Sequence, residues 1–328
     1  MDEIKMDSYN SEQVKRVLKK TRNKMTLKII RIFALCMGVI ILFAQIPNIL
    51  YYSQLNRITD AQRFAMLCNE FSTTNKISGY SVNLEKGISF DRVIKLYYRD
   101  NIAGRNIRSG EQKEISVDYN LLKRKLSMYY PIDGSFMHYD RFQSLEPIYQ
   151  QEIIKDNASA LVSLEKNKDN TVTLADLSFQ RSFSMDEVMQ LTEGLDVEIN
   201  WYAIDTGHEK LSPPSNIGMP AQQYYLWGFP SKLYTPEKIF DPVTLNKDKV
   251  QEHLSAVLDE LKWMMDNSNL ADKNRLWYLD NKLYDYLVEN GFQCYGIQVN
   301  GPTDQIYELI QRVDYQYINI LKIDLWYW

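Results

Sequence analysis

Signatures of catalysis, metal binding and nucleotide binding are missing from this 328-residue chain. It holds no C-x-x-C, H-E-x-x-H, G-x-x-x-x-G-K-[ST], G-x-S-x-G or G-x-G-x-x-G. Those absences remove the redox dithiol, zincin, P-loop, α/β-hydrolase and dinucleotide-fold readings. His138, His208 and His253 are the only histidines and lie far apart, so no zinc ligand set stands out. Three cysteines make no disulfide framework: Cys36 lies in an apolar run, and Cys68 and Cys294 are open to pairing or to two buried free thiols. Repeats and Gly-rich periodicity are also lacking, which excludes solenoids and propellers. Excess positive charge is confined to one end. Residues 1–31 carry nine Lys/Arg against four Asp/Glu, a net of +5, whereas the whole chain is −4 and the remainder therefore −9. An acidic main body does not suit phosphate contacts, and direct nucleic-acid binding is not expected.

What is present begins at the basic end. Lys15, Arg16, Lys19, Lys20, Arg22, Lys24, Lys28 and Arg31 lead into Ile32–Ile46, where Gln45 is the only polar interruption. Counting on to Leu50 gives 19 residues, with Ile32, Phe33, Leu35, Ile40 and Leu42 as apolar anchors and Tyr51 and Tyr52 as an aromatic collar. About 20 apolar residues at 1.5 Å rise span a bilayer core, and the Lys/Arg excess assigns the N-terminal side to the cytoplasm. The expectation is a cytoplasmic tail, one membrane pass and a large extracellular domain, with the basic tail touching anionic inner-leaflet lipids. A cleaved signal peptide lacks its small-residue site here, since the run ends in Gln-Ile-Pro-Asn-Ile-Leu-Tyr-Tyr. A lipidated Cys36 would follow Leu35, too large for that position. A buried soluble helix would leave the basic cluster without a reason.

In the tail, Val14, Val17, Leu18 and Thr21 recur at helical spacing among basic residues, and Asn10 or Ser11 is placed to cap that helix. Such a segment suits a membrane surface or a partner groove. Residues 53–70 read as a helical stalk or first helix. Strands are expected at Asp91–Tyr98 and Ile115–Tyr119 within an otherwise unassigned region 71–150, and a boundary near 150–157. Beyond it, Ala158–Leu164 alternates as a strand, Asn167–Asn170 turns, and Thr171–Phe179 returns as a second strand. Ser184 with Glu187 forms a capping box for a helix ended by Gly194. A strand over Val197–Ala203 closes at Asp205-Thr206-Gly207. A Pro-rich loop at 211–220 and the aromatic segment Tyr224–Tyr234 lead to a helix with Val250, Leu254, Val257, Leu261 and Met264. A second helix carries Leu276, Leu279, Leu283 and Leu287 and stops at Asn290-Gly291. Phe292–Val299 is a strand, Thr303 caps a helix and Tyr315–Leu325 is the last strand. With 45% apolar and 12% aromatic residues the chain can fill a core. The fold class is α+β: a short cytoplasmic amphipathic helix, one transmembrane helix, and an extracytoplasmic mixed α/β domain.

Carboxylate pairs that could serve a glycosidase include Asp186/Glu187, Glu193, Asp196/Glu198 and Asp285/Glu289. All are explicable as caps or solvated helix faces, and none is nominated as catalytic. The 23 tyrosines could stack on a glycan or peptide, and are equally at home at strand and core edges.

The segments EVMQLTEGLDVEINWYAIDTG (187–207), Gly228-Phe229-Pro230 and YLVENGFQCYGIQVNGPTDQIYEL (286–309) resemble the C-terminal domain of sigma factor regulators, the membrane-bound anti-sigma proteins of Gram-positive bacteria. In that resemblance the structural motif is Trp201 with Gly207, Tyr295, Gly296, Gly301 and Pro302, with Asn300-Gly301-Pro302-Thr303 as a turn. Asn300 stands where Thr is expected. The basic helix and single span of the N-terminus are similar too. The resemblance implies a regulator and no enzyme: a tail over 1–28, a transmembrane helix over 29–52, a stalk and intermediate region over 53–156 and the regulator domain over 157–328. The tail would hold an extracytoplasmic-function sigma factor, and an envelope signal sensed outside would release it. Val14, Val17 and Leu18 would enter an apolar groove while Lys15, Arg16 and Lys19 meet acidic sigma surface. The tail is expected to be disordered alone and to order on binding. The other implied partners are the lipid bilayer and, as an option, another membrane regulator; no cofactor or metal is implied. The competing readings are an envelope binding or assembly protein whose tail only sets topology, and an extracellular hydrolase.

Overall fold

The structure, a computed structural model, describes residues 4–53, 55–72, 91–98, 101–102, 105–106, 113–120, 123–127, 136, 143, 147–207, 227–233, 243–271 and 281–325. Two compact units divide the chain, one of residues 1–55 with 87–90 and one of 56–86 with 91–328.

The first unit is helix α1, Ile4–Ser53. The expected short tail helix and the apolar span are therefore one element, and its start precedes the anticipated caps Asn10 and Ser11. Residues 4–28 of the tail are helical, where disorder is expected. Residues 4–31 contain neither Gly nor Pro. Once the apolar segment has nucleated a helix, each added residue costs little, so the helix runs on into the tail. Within Gln13–Ile46 this helix is long and apolar enough to cross a membrane, and none of its most apolar window is buried.

The second unit mixes helix and sheet. Helix α2, Leu55–Ser72, is no exposed stalk. Ile58, Ala61, Phe64, Ala65, Met66, Leu67, Cys68 and Phe71 are all buried, which makes this helix part of the core. Strands β1 (Asp91–Tyr98), β4 (Lys113–Asn120) and β5 (Lys125–Ser127) form an antiparallel sheet in that order, and β2 (Asn101–Ile102) pairs with β3 (Arg105–Asn106). Leu126 of β5 makes a parallel bridge to Ala271, tying this small sheet to the C-terminal half.

Helix α3, Pro147–Lys166, corrects two expectations. It runs through the anticipated boundary at 156/157, and Ala158–Leu164 is helical rather than a strand. Asn157, Ala160 and Leu164 are buried at intervals of three and four, whereas Val162 is 48% exposed. The letters that alternate also fit a helix whose inner face is Asn157, Ala160 and Leu164. The order over 147–184 is thus helix, turn and strand, with Asn170 at φ 57° in the turn.

The core sheet is five-stranded and antiparallel, in the order β12-β6-β11-β7-β8. Its members are β6 (Thr171–Ser184), β7 (Glu198–Ile204), β8 (Gly228–Pro230), β11 (Gln293–Pro302) and β12 (Tyr315–Leu325). A two-stranded piece, β9 (Lys232–Leu233) with β10 (Val243–Thr244), continues past β8. Strands β7 and β11 are buried on both faces, so neither shows a clean alternation. Around the sheet lie α4 (Met185–Leu191), α5 (Val250–Asp266), α6 (Asn281–Asn290) and α7 (Thr303–Gln311). Cys68 and Cys294 are both buried and form no disulfide with each other. Leu276, Leu279 and the loop at 211–220 lie outside the described residues.

The capping box stands as read: Glu187 N donates to Ser184 Oγ (3.3 Å) and Ser184 N donates to Glu187 Oε2 (2.7 Å). Ser184 also ends β6, so this cap turns the longest strand into α4. The helix stops at Leu191 with Thr192 as its C-cap, short of Gly194. Thr303 does not cap α7; that position is Pro302, because β11 runs straight through Asn300-Gly301-Pro302 with no intervening turn. Replacing Ser184 by Ala should cost about 1 kcal/mol. Urea unfolding of the full chain in detergent would register it as a lower midpoint with an unchanged slope.

Candidate partner-binding segment and the buried polar core

On α1, Val14, Val17 and Leu18 are 54%, 64% and 63% exposed and fall at i, i+3 and i+4. Lys15, Arg16 and Lys19 are exposed on the adjoining faces. A stripe about one helical turn wide, apolar in the middle and cationic at its borders, suits a groove with acidic margins. Farther along, Ile32, Phe33, Leu35, Ile40 and Leu42 are 60–70% exposed. Tyr51 and Tyr52 are helical, and their side chains lie outside the described ones.

The six motif residues of the second unit separate into two ends of the sheet and a strand exit. Trp201 and Tyr295 share a buried cluster with Phe136 and Ala203. The Phe136 and Trp201 ring centroids are 5.6 Å apart. Gly296 belongs to the same place: a Cβ there would stand 2.7 Å from the Phe136 ring. Gly207 (φ +73°) ends the strand, its N–H donating to Asp205 Oδ1 at 2.7 Å, and a Cβ there would press on the Tyr286 ring. Gly301 and Pro302 sit at the far end of β11, where Gly301 faces the backbone of Asp196 and Val197. The motif is therefore architectural.

Several residues that organise this unit gave no signal in the sequence. The Trp201 indole N–H donates to the Glu70 carbonyl at 2.8 Å, joining the sheet to α2. Arg63 of α2 donates to both carboxylate oxygens of Glu260 on α5, at 2.7 and 2.9 Å from Nη2 and 3.1 Å from Nε. The same guanidinium lies 4.3 Å from the Trp263 ring centroid. A forked pair of this kind, largely shielded from water, is oriented far more firmly than a surface ion pair. Across the sheet runs a buried polar row. Asn300 Nδ2 donates to Asn200 Oδ1 (2.6 Å), Asn200 Nδ2 to Gln298 Oε1 (3.5 Å) and Gln298 Nε2 to Asp176 Oδ1 (2.9 Å). Every donor points toward the Asp176 carboxylate, the arrangement in which hydrogen bonds polarise one another. Such polar residues were passed over because burial is not visible in a polar letter.

The carboxylates weighed for hydrolysis have other places. Glu187 is in the capping box, where the Ser184 N–H and then Arg181 hold its carboxyl below the usual range. Glu193 meets Lys247 at 2.7 Å and Glu198 meets Lys232 at 2.9 Å. Asp186, Asp196, Asp285 and Glu289 are exposed.

His253 is wholly buried on α5. Its Nε2 lies 3.2 Å from the Pro230 carbonyl, which can only accept, so that nitrogen carries the proton. Burial pushes the imidazole down to about 4, and pushes the Cys294 thiol up to about 12. His138 and His208 are outside the described residues.

Two features stand out, an exposed apolar and basic face on α1 and a mixed sheet domain organised around Trp201. Residues 164–320 match the family model described as Sigma factor regulator C-terminal. A curated relative from Bacillus subtilis (strain 168), "Probable anti-sigma-M factor YhdL", is 26% identical over 219 residues, covering 66% of this chain and 56% of the relative. The match thus spans little more than half of that protein. No solved structure matches. On these findings residues 164–320 are similar to the C-terminal domain of sigma factor regulators.

His253 sets a pH dependence. Its folded value lies below the unfolded 6.5, so the unfolded chain binds the proton more readily. The contribution to stability is full above pH 6.5 and is lost as pH falls toward 4, about 3 kcal/mol in all. In NMR titration of the full chain in detergent, the His253 ring resonance should titrate near pH 4. In His253→Gln this part of the acid destabilisation between pH 6.5 and 4 should vanish.

Proposed function

We propose that this chain is a membrane-anchored anti-sigma factor that sequesters an extracytoplasmic-function sigma factor through its N-terminal tail. The observation that carries this reading is the coexistence, on one chain, of the sigma factor regulator domain and the exposed face Val14–Val17–Leu18 at the start of a helix fit to cross a membrane. The name of the Bacillus subtilis relative supports it.

In this reading α1 is anchored through Ile32, Phe33, Leu35, Ile40 and Leu42, with Tyr51 and Tyr52 at the outer interface. The N-terminus is cytoplasmic, as the basic residues before the span favour. Val14, Val17 and Leu18 enter an apolar groove of the sigma factor, flanked by Lys15, Arg16 and Lys19. Residues from about 53 onward lie outside and respond to an envelope signal, the regulator domain being the part over 157–328. A tail that is already helical binds with a smaller ordering cost than a disordered one.

The test captures tagged full-length protein from its native host in mild detergent, beside a version lacking residues 1–22 and one carrying Val17→Asp and Leu18→Asp. The expected result is a sigma factor identified by mass spectrometry on the full chain only, with retention falling about tenfold or more in both altered forms. Equal retention of envelope proteins by all three, with no sigma factor, would overturn the reading and move the function to the second unit.

A further inference from the structure

We propose that Leu321–Leu325, the outer end of β12, is a self-association edge that pairs antiparallel with the same segment of a second copy about a two-fold axis through Ile323. This goes beyond the sigma-binding tail, which it does not involve.

The sheet treats its two edges differently. At one edge β8 is three residues long, ends in Pro230 and is followed by β9 and β10, so little free ladder remains. At the other edge β12 runs for 11 residues. Its first half is covered by a side chain: Asn157 of α3 donates Nδ2 to the Gln316 carbonyl at 2.9 Å and accepts from the Ile318 N–H at 3.0 Å. An amide in that position imitates a neighbouring strand and blocks one. Among the described residues nothing similar covers 321–325, where Leu321 is 43% and Leu325 57% exposed.

Backbone direction narrows the register. Because Asn157 takes the groups of 316 and 318, these residues face outward and 317 and 319 face β6. The ladder slips by one residue between Ile320 and Lys322, after which Lys322 lies opposite Leu174 and Asp324 opposite Val172. The alternation is thereby reversed, and Leu321, Ile323 and Leu325 turn their N–H and C=O groups outward. The Leu325 N–H agrees, since it donates to Asp324 Oδ1 at 2.9 Å rather than to β6.

Charge selects among the registers that remain. A two-fold axis at residue 322 sets Lys322 against Lys322, and one at 324 sets Asp324 against Asp324. The axis at Ile323 sets Lys322 of each copy opposite Asp324 of the other, and Leu321 opposite Leu325. Like charges directly opposite destabilise a strand pair and opposite charges support it. Lys322 and Asp324 already meet within one chain at 3.3 Å, so both side chains share one face of the strand and can exchange partners across the axis. Such a contact is isologous, and closes as a dimer. Being small, it depends on the raised local concentration that two anchored chains have in one membrane.

The register is read by cross-linking. Two differently tagged full-length chains, both Cys36→Ser, are co-expressed in bacterial membranes, one with Lys322→Cys and the other with Asp324→Cys, and oxidised. Opposite residues of this type bring Cα atoms to about 4.5 Å, within disulfide range. The mixed covalent dimer should form at least about fivefold more than either variant forms with itself. A second measurement avoids cysteine: Lys322→Asp should reduce the dimer fraction of the full chain reconstituted in lipid vesicles, and adding Asp324→Lys in the same chain should restore it. Equal cross-linking of all pairs, a monomer at every concentration, or no rescue by the charge exchange in chains of unchanged circular dichroism would overturn the proposal.

Discussion

The hydrogen bond from the Trp201 indole to the Glu70 carbonyl is the constraint around which the second unit is arranged. A buried indole N–H needs a partner, and here the partner is backbone at the C-terminal end of α2. Fixing that end places Phe71 against Trp227, at 5.7 Å between ring centroids, and the forked Arg63–Glu260 pair fixes the same helix against α5 one to two turns earlier. Gly228 is required by the same contact. A Cβ there would collide with the Trp201 ring and the Tyr202 carbonyl, so β8 can approach β7 only as glycine. Removing the indole would therefore loosen a helix, an edge strand and a ring cluster together.

This arrangement bears on how an N-terminal segment could report on the rest of the chain. Helix α2 is buried along one continuous stretch from Phe64 to Phe71 and held by hydrogen bonds at both ends. It is thus a part of the core and moves with it. Packed interiors of this density shift between discrete arrangements rather than deforming smoothly.

Much of the fold was legible where the local pattern and the tertiary environment agree. Strands Asp91–Tyr98 and Tyr315–Leu325 fall where β-branched and aromatic residues suggest, and the Ser184–Glu187 box is local enough to be read from four letters. Failures came where two periods fit the same letters. Ala158–Leu164 alternates, yet alanine and leucine also favour helix, and only the burial of Asn157, Ala160 and Leu164 decides. Gly301-Pro302 suggests a turn, but β11 carries it flat because Gly301 must pass close to the Asp196 carbonyl. Of the candidate partner-binding face, the spacing of Val14, Val17 and Leu18 was legible; the unbroken helix behind it was not, since continuity depends on nucleation farther along the chain. Arg63, Glu260 and His253 were invisible because their roles arise between elements distant in sequence.

The polar row Asn300–Asn200–Gln298–Asp176 shows what such hidden residues contribute. Burying amides and a carboxylate between strands earns little net stability over an apolar core, since each must be desolvated first. Its effect is on register. Sliding β11 against β6 by one residue would turn Gln298 to the other face and leave Asp176 without that donor, whereas an aliphatic row would tolerate the slip more cheaply. Glycine at 296 and 301 gives the same strand stretches without a side chain to resist sliding, so a polar lock between them is where it is most needed. The central strand thus holds its alignment through geometry of donors and acceptors, and the apolar clusters at either end then pack against a sheet whose order is already fixed.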